Sequence, residues 1–104
     1  MITVPIGPLD EAEIKPVYFV FTGELPSGVT ITSASIAVEL LSGTDADPGA
    51  MKVGAAVIDT ASRIVSQRMS GQGRAGNRYR LRCVATDGQA NRHTVAAELA
   101  VVRL

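Results

Sequence analysis

The stretch Gly76-Asn-Arg-Tyr-Arg-Leu-Arg-Cys-Val-Ala-Thr-Asp-Gly88 decides the fold class of this chain. Successive side chains of a β-strand point to opposite faces, and here one face is apolar while the other is basic. The apolar face comprises Tyr79, Leu81, Cys83 and Ala85. The basic face comprises Arg78, Arg80, Arg82 and then Val84. This alternation predicts an antiparallel strand with one buried face, closed by a turn at Asp87 and Gly88.

Further short runs rich in β-branched residues are separated by turn residues along the rest of the chain. They span residues 17–22, 29–41, 64–69 and 93–103. Residues 51–58 fit short strands; an amphipathic helix over 50–62 is the alternative, which Gly54 weakens. About seven short antiparallel strands with turns between them predict an all-β sandwich. Tyr79 resembles the corner tyrosine of immunoglobulin-like sandwiches.

Length and composition indicate one domain with one core. The chain has 104 residues, of which 46% are apolar, and this share is enough to build a core. Pro5 and Pro8 interrupt any central strand near the N-terminus. We therefore expect residues 1–14 to form an N-terminal tail or an edge strand, and residues 15–104 to form a single immunoglobulin-like β-sandwich.

The net charge of zero conceals a strong asymmetry between the two halves of the chain. Residues 1–51 contain seven acidic residues and one basic residue, whereas residues 52–104 contain nine basic residues and three acidic ones. A neutral total argues against a dedicated nucleic-acid or membrane-surface binder. The asymmetry is explained either by a partner surface or by two halves that face each other in the fold, and the second explanation is favoured because a sandwich interleaves its halves.

The single cysteine, Cys83, excludes an internal disulfide and is expected to be a buried, inert thiol. The N-terminal residues lack the basic and apolar regions of a signal peptide, so we expect folding in a cytoplasm. No run reaches the ~18 apolar residues of a membrane helix.

The spacing Gly71-x-Gly73-x-x-Gly76 matches the glycine fingerprint of dinucleotide-binding loops. That chemistry needs a helix after the loop, because the phosphates bind at the helix N-terminus. A strand pattern follows the loop here instead of a helix. The acid that binds the ribose is expected about 20 residues after the motif, and residues 91–93 at that position contain no acid. We interpret the motif as a hairpin loop and expect no cofactor.

Three other groups of residues could carry chemistry, and each has a simpler interpretation. Cys83 and His93 could form a thiol–imidazole pair, but two packed core residues are favoured. Four N/S ligands for a structural zinc are not available. Asp45 and Asp47 could bind calcium, but two carboxylates fall short of the six or more oxygens that calcium prefers, so a solvated loop is expected. No catalytic or metal-binding residue is predicted, and the chain is predicted not to be an enzyme.

The candidate interface is a basic stripe of five arginines, namely Arg78, Arg80, Arg82, Arg74 and Arg92. The stripe could be a solvated face, a protein contact or a nucleic-acid footprint. It lacks aromatic residues on the same face, so stacking on single-stranded nucleic acid is not supported. Arginine also serves protein interfaces well, because its planar guanidinium binds carboxylates in a fixed geometry.

The order of several segments resembles small tailed-phage and prophage proteins of the fibre–tail adaptor type. These segments are Ile-Thr-Ser-Ala-Ser-Ile-Ala-Val at 31–38, Gly-Thr-Asp at 43–45, Ile-Val-Ser-Gln-Arg-Met-Ser-Gly at 64–71, and the stretch 76–88. The resemblance covers about residues 15–103 and implies a structural virion role without a cofactor. The acidic N-terminal tail has no counterpart in that pattern.

These considerations predict a non-catalytic structural component of a phage or prophage particle, in the tail or as a fibre–tail adaptor. Its expected partners are other phage structural proteins, with a weak homo-oligomer or ring in the particle, and neither nucleic acid nor membrane. The expected location is the virion, assembled in the cytoplasm of a bacterial host. The alternative is an immunoglobulin-like binding or adhesion module that recognises a protein or a carbohydrate.

Overall fold

A computed structural model describes residues 2–5 and 7–103, with the backbone alone for residues 2–5. The described part of the chain contains eight strands and one short 3-10 helix. The strands are β1 (Ile2–Pro5), β2 (Leu9–Asp10), β3 (Ile14–Val20), β4 (Ile31–Ser42), β5 (Lys52–Asp59), β6 (Ile64–Ser70), β7 (Arg78–Asp87) and β8 (Arg92–Val102). The 3-10 helix, Pro48–Met51, precedes β5. The predicted all-β class is confirmed.

The strands form two sheets, which enclose one core. The larger sheet has the order β1-β8-β7-β4, with β2 also paired to β8, and the smaller sheet has the order β3-β6-β5. The prediction of antiparallel strands throughout is wrong for β1 and β2, because both pair with β8 in parallel. These two strands precede the rest of the sandwich and run alongside its last strand, which gives that strand a partner on its outer edge.

The two sheets have the strand order that immunoglobulin-type sandwiches use for their central strands. In such domains the strands B, E and D pair in one sheet and C, F and G pair in the other. Here β3-β6-β5 corresponds to the first set, and β4-β7-β8 corresponds to the second. This order is consistent with the immunoglobulin-like prediction, and the sandwich architecture itself is shown directly by the pairing.

The alternation in residues 76–88 positions the core as the sequence predicts. Tyr79, Leu81 and Cys83 are all 0% exposed, and the arginines between them lie on the outer side. Facing β7 across the core are the inward side chains of the smaller sheet, Phe19, Val65 and Met69, with Phe21 just beyond β3. A one-residue slip in β7 would bury the arginines, so the period-two pattern sets the register.

Residues 52–59 form the strand β5, and the alternative of a helix over 50–62 is wrong. β5 pairs with β6 on both sides of an irregularity between Val53 and Val57. Gly54 lies in this bulge with φ of +74°, a conformation that glycine adopts without steric penalty. The buried amide of Gln67 donates to the carbonyl oxygens of Val53 and Gly54, at 3.4 and 3.1 Å, which holds the bulge against β6.

Candidate interaction surface

The outer face of β4, β7 and β8, which we call the arginine face, carries four of the five candidate arginines. Its registers place Arg78, Arg80, Arg82 and Arg92 on the same side of the sheet. Arg78, Arg82 and Arg92 are exposed, whereas Arg80 is half-buried. The predicted stripe is therefore a real geometric feature of this sheet, with unequal exposure of its members.

Two of these arginines are partly neutralised by carboxylates on neighbouring strands. Arg80 lies between Glu39 on β4 and Glu98 on β8, and its guanidinium is 3.9 Å from the Glu39 carboxylate. Arg78 is 3.9 Å from the Glu98 carboxylate. Such exposed pairs contribute little to stability, but they lower the positive potential at that end of the face.

The remaining positive charge lies at the other end of the arginine face. Within the described ranges, neither Arg82 nor Arg92 has a carboxylate within the 4.0 Å of a salt bridge. Arg92 borders a shallow groove of about 400 Å³, which is also lined by Ser33, Ala34, Ser35, Val84 and Thr86. Guanidinium and hydroxyl groups together suit a carboxylate-bearing protein surface, because all of them donate hydrogen bonds to its oxygens.

Arg74 lies apart from the arginine face, and its inclusion in the stripe needs correction. It belongs to the loop before β7, and only 15% of its side chain is exposed. Its Nε donates to Asp45 Oδ2 at 3.1 Å, and its terminal nitrogen donates to the carbonyl oxygen of Gln72. The guanidinium is thereby engaged in a polar cluster at one end of the sandwich.

This polar cluster comprises Tyr79, Asn77, Asp45 and Arg74, with the backbone of Thr44. The Tyr79 hydroxyl donates to Asp45 Oδ2 at 2.7 Å and accepts from Asn77 Nδ2 at 2.9 Å. Asn77 also exchanges two hydrogen bonds with the backbone of Thr44. The cluster therefore fastens the loop between β4 and β5 to the start of β7.

The prediction that Asp45 lies in a solvated loop is wrong. Its side chain is only 11% exposed, because it supplies the acceptor that the Tyr79 hydroxyl needs at the edge of the core. The hydrogen bond from that hydroxyl and one from the Asp47 N–H hold the pKa of Asp45 below its ordinary value. Burial raises the pKa of Tyr79, which keeps the hydroxyl protonated as a donor.

A second carboxylate organises the turn between β7 and β8. Asp87 is 2% exposed, and its Oδ1 accepts from the backbone N–H groups of Gln89 and Asn91. Its Oδ2 lies 2.8 Å from His93 Nε2, and this hydrogen bond is the main cause that lowers the pKa of Asp87. His93 is thus bonded to a turn carboxylate rather than packed as a purely apolar core residue.

The Cys83 thiol is buried at 0% exposure, and desolvation raises its pKa to about 12. A thiol with such a pKa carries almost no thiolate near neutral pH, so it is a poor nucleophile. The expectation of a buried, inert cysteine agrees with both observations.

The two oppositely charged halves of the chain meet inside the fold. Three ion pairs join an acid of the first half to an arginine of the second, namely Asp45–Arg74, Glu39–Arg80 and Glu11–Arg103. These ion pairs neutralise part of the charge asymmetry within the molecule, as expected for a sandwich in which the two halves of the chain interleave. On the arginine face, the positive charge that remains for a partner is the local excess around Arg82 and Arg92.

No described helix is long and apolar enough to cross a membrane. In the ranges 7–103, no three His, Cys, Asp or Glu side chains are grouped so that they could hold a metal ion. No protein family matches the chain, and no curated protein resembles it significantly. The geometry of the surfaces is therefore the basis for assigning a function.

The pKa values of three carboxyl groups, Asp45, Asp87 and Glu13, are lowered in the fold, and this predicts acid sensitivity. Asp45 and Asp87 bind protons less readily in the folded chain than in the unfolded one, whose ordinary value is 3.8. Their stabilising contribution is therefore complete above that value and is lost as the pH falls through the lower folded values. We expect the urea midpoint to be constant from pH 7 to 5 and to drop below about pH 4.

The Asp45→Asn variant provides the control for this pH dependence. It should be less stable than the wild type at pH 7, because a neutral amide is a weaker acceptor for Tyr79 and Arg74. Its stability should fall less on acidification, since one of the carboxyl groups with a lowered pKa is gone. Parallel curves for the variant and the wild type would contradict the assigned role of Asp45.

Proposed function

We propose that this chain is a non-catalytic structural protein of a phage or prophage particle, in the tail or as a fibre–tail adaptor. The resemblance of its segments to tail adaptor proteins suggests this class. The observation that carries the proposal is the arginine face, where Arg82 and Arg92 have no carboxylate partner among the described residues and Arg92 borders a hydroxyl-lined groove. A flat, rigid sheet with directed donors is suited to docking on an acidic protein surface.

The buried polar groups support a structural rather than a catalytic role. Asp45, Tyr79, Asp87 and His93 are the titratable groups with close hydrogen-bond partners at the ends of β7, and each one holds a loop or a turn in place. Catalytic groups are instead expected to face a cleft with free hydrogen-bonding capacity. The arginine face is held between two groups of hydrogen-bonded side chains, one around Asp45 and Tyr79 and one around Asp87 and His93. This arrangement suits a rigid adaptor.

Charge reversal on the arginine face tests this proposal. We expect Arg82→Glu and Arg92→Glu, together, to leave the far-UV circular dichroism and the urea midpoint nearly unchanged, since both side chains are exposed. The double variant should enter particles at least tenfold less efficiently than the wild type in a complementation assay. Arg80 is left intact, because a glutamate there would lie between Glu39 and Glu98.

A matched control separates this contact from net charge. Arg63→Glu changes the charge by the same amount per site, but in the turn between β5 and β6, where Arg63 has no salt-bridge partner among the described residues. It should enter particles normally. Normal incorporation of the Arg82 and Arg92 double variant would show that the arginine face is only solvated.

The alternative of a carbohydrate- or protein-binding adhesion module has one observation in its favour. Tyr18 is 61% exposed, whereas the other three aromatic side chains of the chain, Phe19, Phe21 and Tyr79, are buried. An exposed ring can stack on a sugar. A glycan array that binds the wild type and fails to bind Tyr18→Ala would favour this alternative.

A further inference from the structure

The outer face of the smaller sheet, which we call the apolar face, exposes several large hydrophobic side chains. They are Ile14 at 50%, Tyr18 at 61%, Val20 at 53%, Val53 at 37% and Val57 at 63% exposure. Single exposed hydrophobic residues are common, but a contiguous group on one sheet marks an interaction site. This face lies on the opposite side of the sandwich from the arginine face, so it is independent of the proposed docking contact.

The strand registers arrange these side chains, except Ile14 opposite Ser70, in three rows across β3, β6 and β5. The middle row is Tyr18, Ser66 and Val57. On one side of it lies the row Val20, Ile64 and Asp59, and on the other side lies the row Pro16, Arg68 and Val53. The face therefore has an apolar centre, with one acidic and one basic side chain at equal distances from the middle row.

The two charged side chains of the apolar face lack salt-bridge partners within the described residues, although Asp59 Oδ1 accepts a hydrogen bond from the Ser62 N–H at 3.2 Å. In the part of the chain that the structure describes, neither Arg68 nor Asp59 has an oppositely charged group within the 4.0 Å of a salt bridge. Both are exposed. Asp59 on β5 pairs with Ile64, which lies four residues from Arg68 along β6, so the two charges are at least roughly 13 Å apart along the strands and make no mutual contact.

We propose that the apolar face binds the same face of a second copy of this chain. The two-fold axis would lie in the interface and run across the strands at the level of Ser66. This operation places the row of Arg68 over the row of Asp59 in the other copy, and the reverse, so both charges gain partners at once. Such reciprocal pairing is the defining property of an isologous dimer contact.

The apolar residues are self-complementary under the same axis. The middle row packs on itself, so Tyr18 and Val57 each meet their own counterpart, and Val20 lies over Pro16 of the second copy. A partner with another surface would have to reproduce this spacing of charges and side chains. The chain itself already carries it, and this property favours a second copy as the occupant.

The edges of the smaller sheet are poorly suited to association by added strands. β3 contains Pro16, which has no N–H to donate to a neighbouring strand. β5 is interrupted by its bulge at Gly54. Interrupted edges of this kind disfavour edge-to-edge pairing, so association of this sheet is directed to its face.

The size of the apolar face predicts a weak dimer. Three strands of seven residues cover about 350 Å² per copy at normal strand spacing. Two such faces total about 700 Å², which is below the range of stable protein interfaces and is the size of a weak, transient contact. We therefore expect a dissociation constant of about 10–1000 µM, which becomes effective where copies are concentrated, as in an assembled particle.

Sedimentation velocity across a concentration series tests the proposal. The wild type should change from monomer to dimer between about 5 µM and 1 mM. Val57→Lys should raise the dissociation constant at least tenfold, because it buries an ammonium in the centre of the face. Arg82→Glu, on the opposite face, should leave the dimer unchanged, and this keeps the test separate from that of the docking function.

A charge exchange tests the predicted two-fold axis. Arg68→Asp alone and Asp59→Arg alone should each weaken the dimer about tenfold, because each brings like charges together. The variant that carries both substitutions should regain the wild-type dissociation constant. A wild type that is monomeric at 1 mM would overturn the proposal. A double variant whose dissociation constant is raised by the product of the two single effects would also overturn it.

Cross-linking provides a second, independent readout. Ser66 lies on the predicted axis, and packed sheets are about 10 Å apart, so a bismaleimide linker of about 8 Å should join two copies of the Ser66→Cys variant. The native Cys83 is buried and should not interfere. A cysteine placed on the opposite face, Arg82→Cys, should remain monomeric. Equal cross-linking of the two variants would contradict a specific contact at the apolar face.

Discussion

Replacing Tyr79 by alanine is expected to lower the free energy of unfolding by about 3–5 kcal/mol. The side chain is the largest of the fully buried ones, at 0% exposure, so its removal leaves a cavity between the two sheets. It also removes the hydroxyl to which Asp45 and Asn77 are bonded. A loss of this size consumes much of the stability of a domain of this length, and urea denaturation at low micromolar protein measures it.

The Tyr79→Phe variant separates the hydroxyl from the ring. It keeps the packing of the aromatic ring but leaves the Asp45 carboxylate and the Asn77 amide each without one partner. We expect a loss of about 1–3 kcal/mol. The loop between β4 and β5 should also exchange its backbone amides faster, since the cluster fastens it to β7.

Tyr18 is the matched control for these two variants. It is the only other tyrosine, and 61% of it is exposed on the apolar face. Tyr18→Ala should change the stability of the monomer by about 0.5 kcal/mol or less. Equal losses at the two positions would contradict the assignment of Tyr79 to the core.

Replacing Gly43 by alanine is expected to lower the free energy of unfolding by about 2–4 kcal/mol. Gly43 has φ of +98°, where a Cβ atom is strained by the backbone, and this Cβ would lie 2.0 Å from Asn77 Oδ1. Asn77 would have to move, and its hydrogen bonds to Thr44 and Tyr79 would be lost. Thermal unfolding should show the loss as a clearly lower midpoint.

Gly73 offers a control with the same backbone strain and no clash. Its φ is +73°, and an added Cβ would meet no atom within 4 Å. Gly73→Ala should therefore lower the free energy of unfolding by about 1–2 kcal/mol, which is the cost of the positive φ alone. If the two variants were equally stable, the contact between Gly43 and Asn77 would have no role in holding the loop.

Local alternation was enough to predict the core side of β7 and the outward direction of its arginines. The side chains of a strand alternate between its two faces. A strand in which apolar and basic residues alternate can therefore bury its apolar residues in only one register. The same reasoning was weaker for β1 and β2, because strands of four and two residues are too short to show a period. Prolines near them suggested a tail or an edge strand.

The polar cluster and the apolar face depend on tertiary contacts that a local pattern does not contain. Asp45 and Tyr79 are 34 residues apart, so their hydrogen bond follows from the strand order and not from spacing. The exposure of Tyr18 and Val20 had a signal in the sequence, because they alternate with Phe19 and Phe21. Apolar residues on both faces of a strand indicate either a covered strand or an uncovered interaction face, and only the sheet arrangement distinguishes these two cases.

Immunogold electron microscopy of particles produced by the encoding genome tests the central claim most directly. An antibody raised against the purified domain is applied to intact, gradient-purified particles, and an immunoblot of the same fraction measures the amount of the chain. We expect gold label at the tail or at the joint between tail and fibre, with several copies per particle. Particles that lack the chain, while the producing cells contain it, would contradict a structural role in the virion.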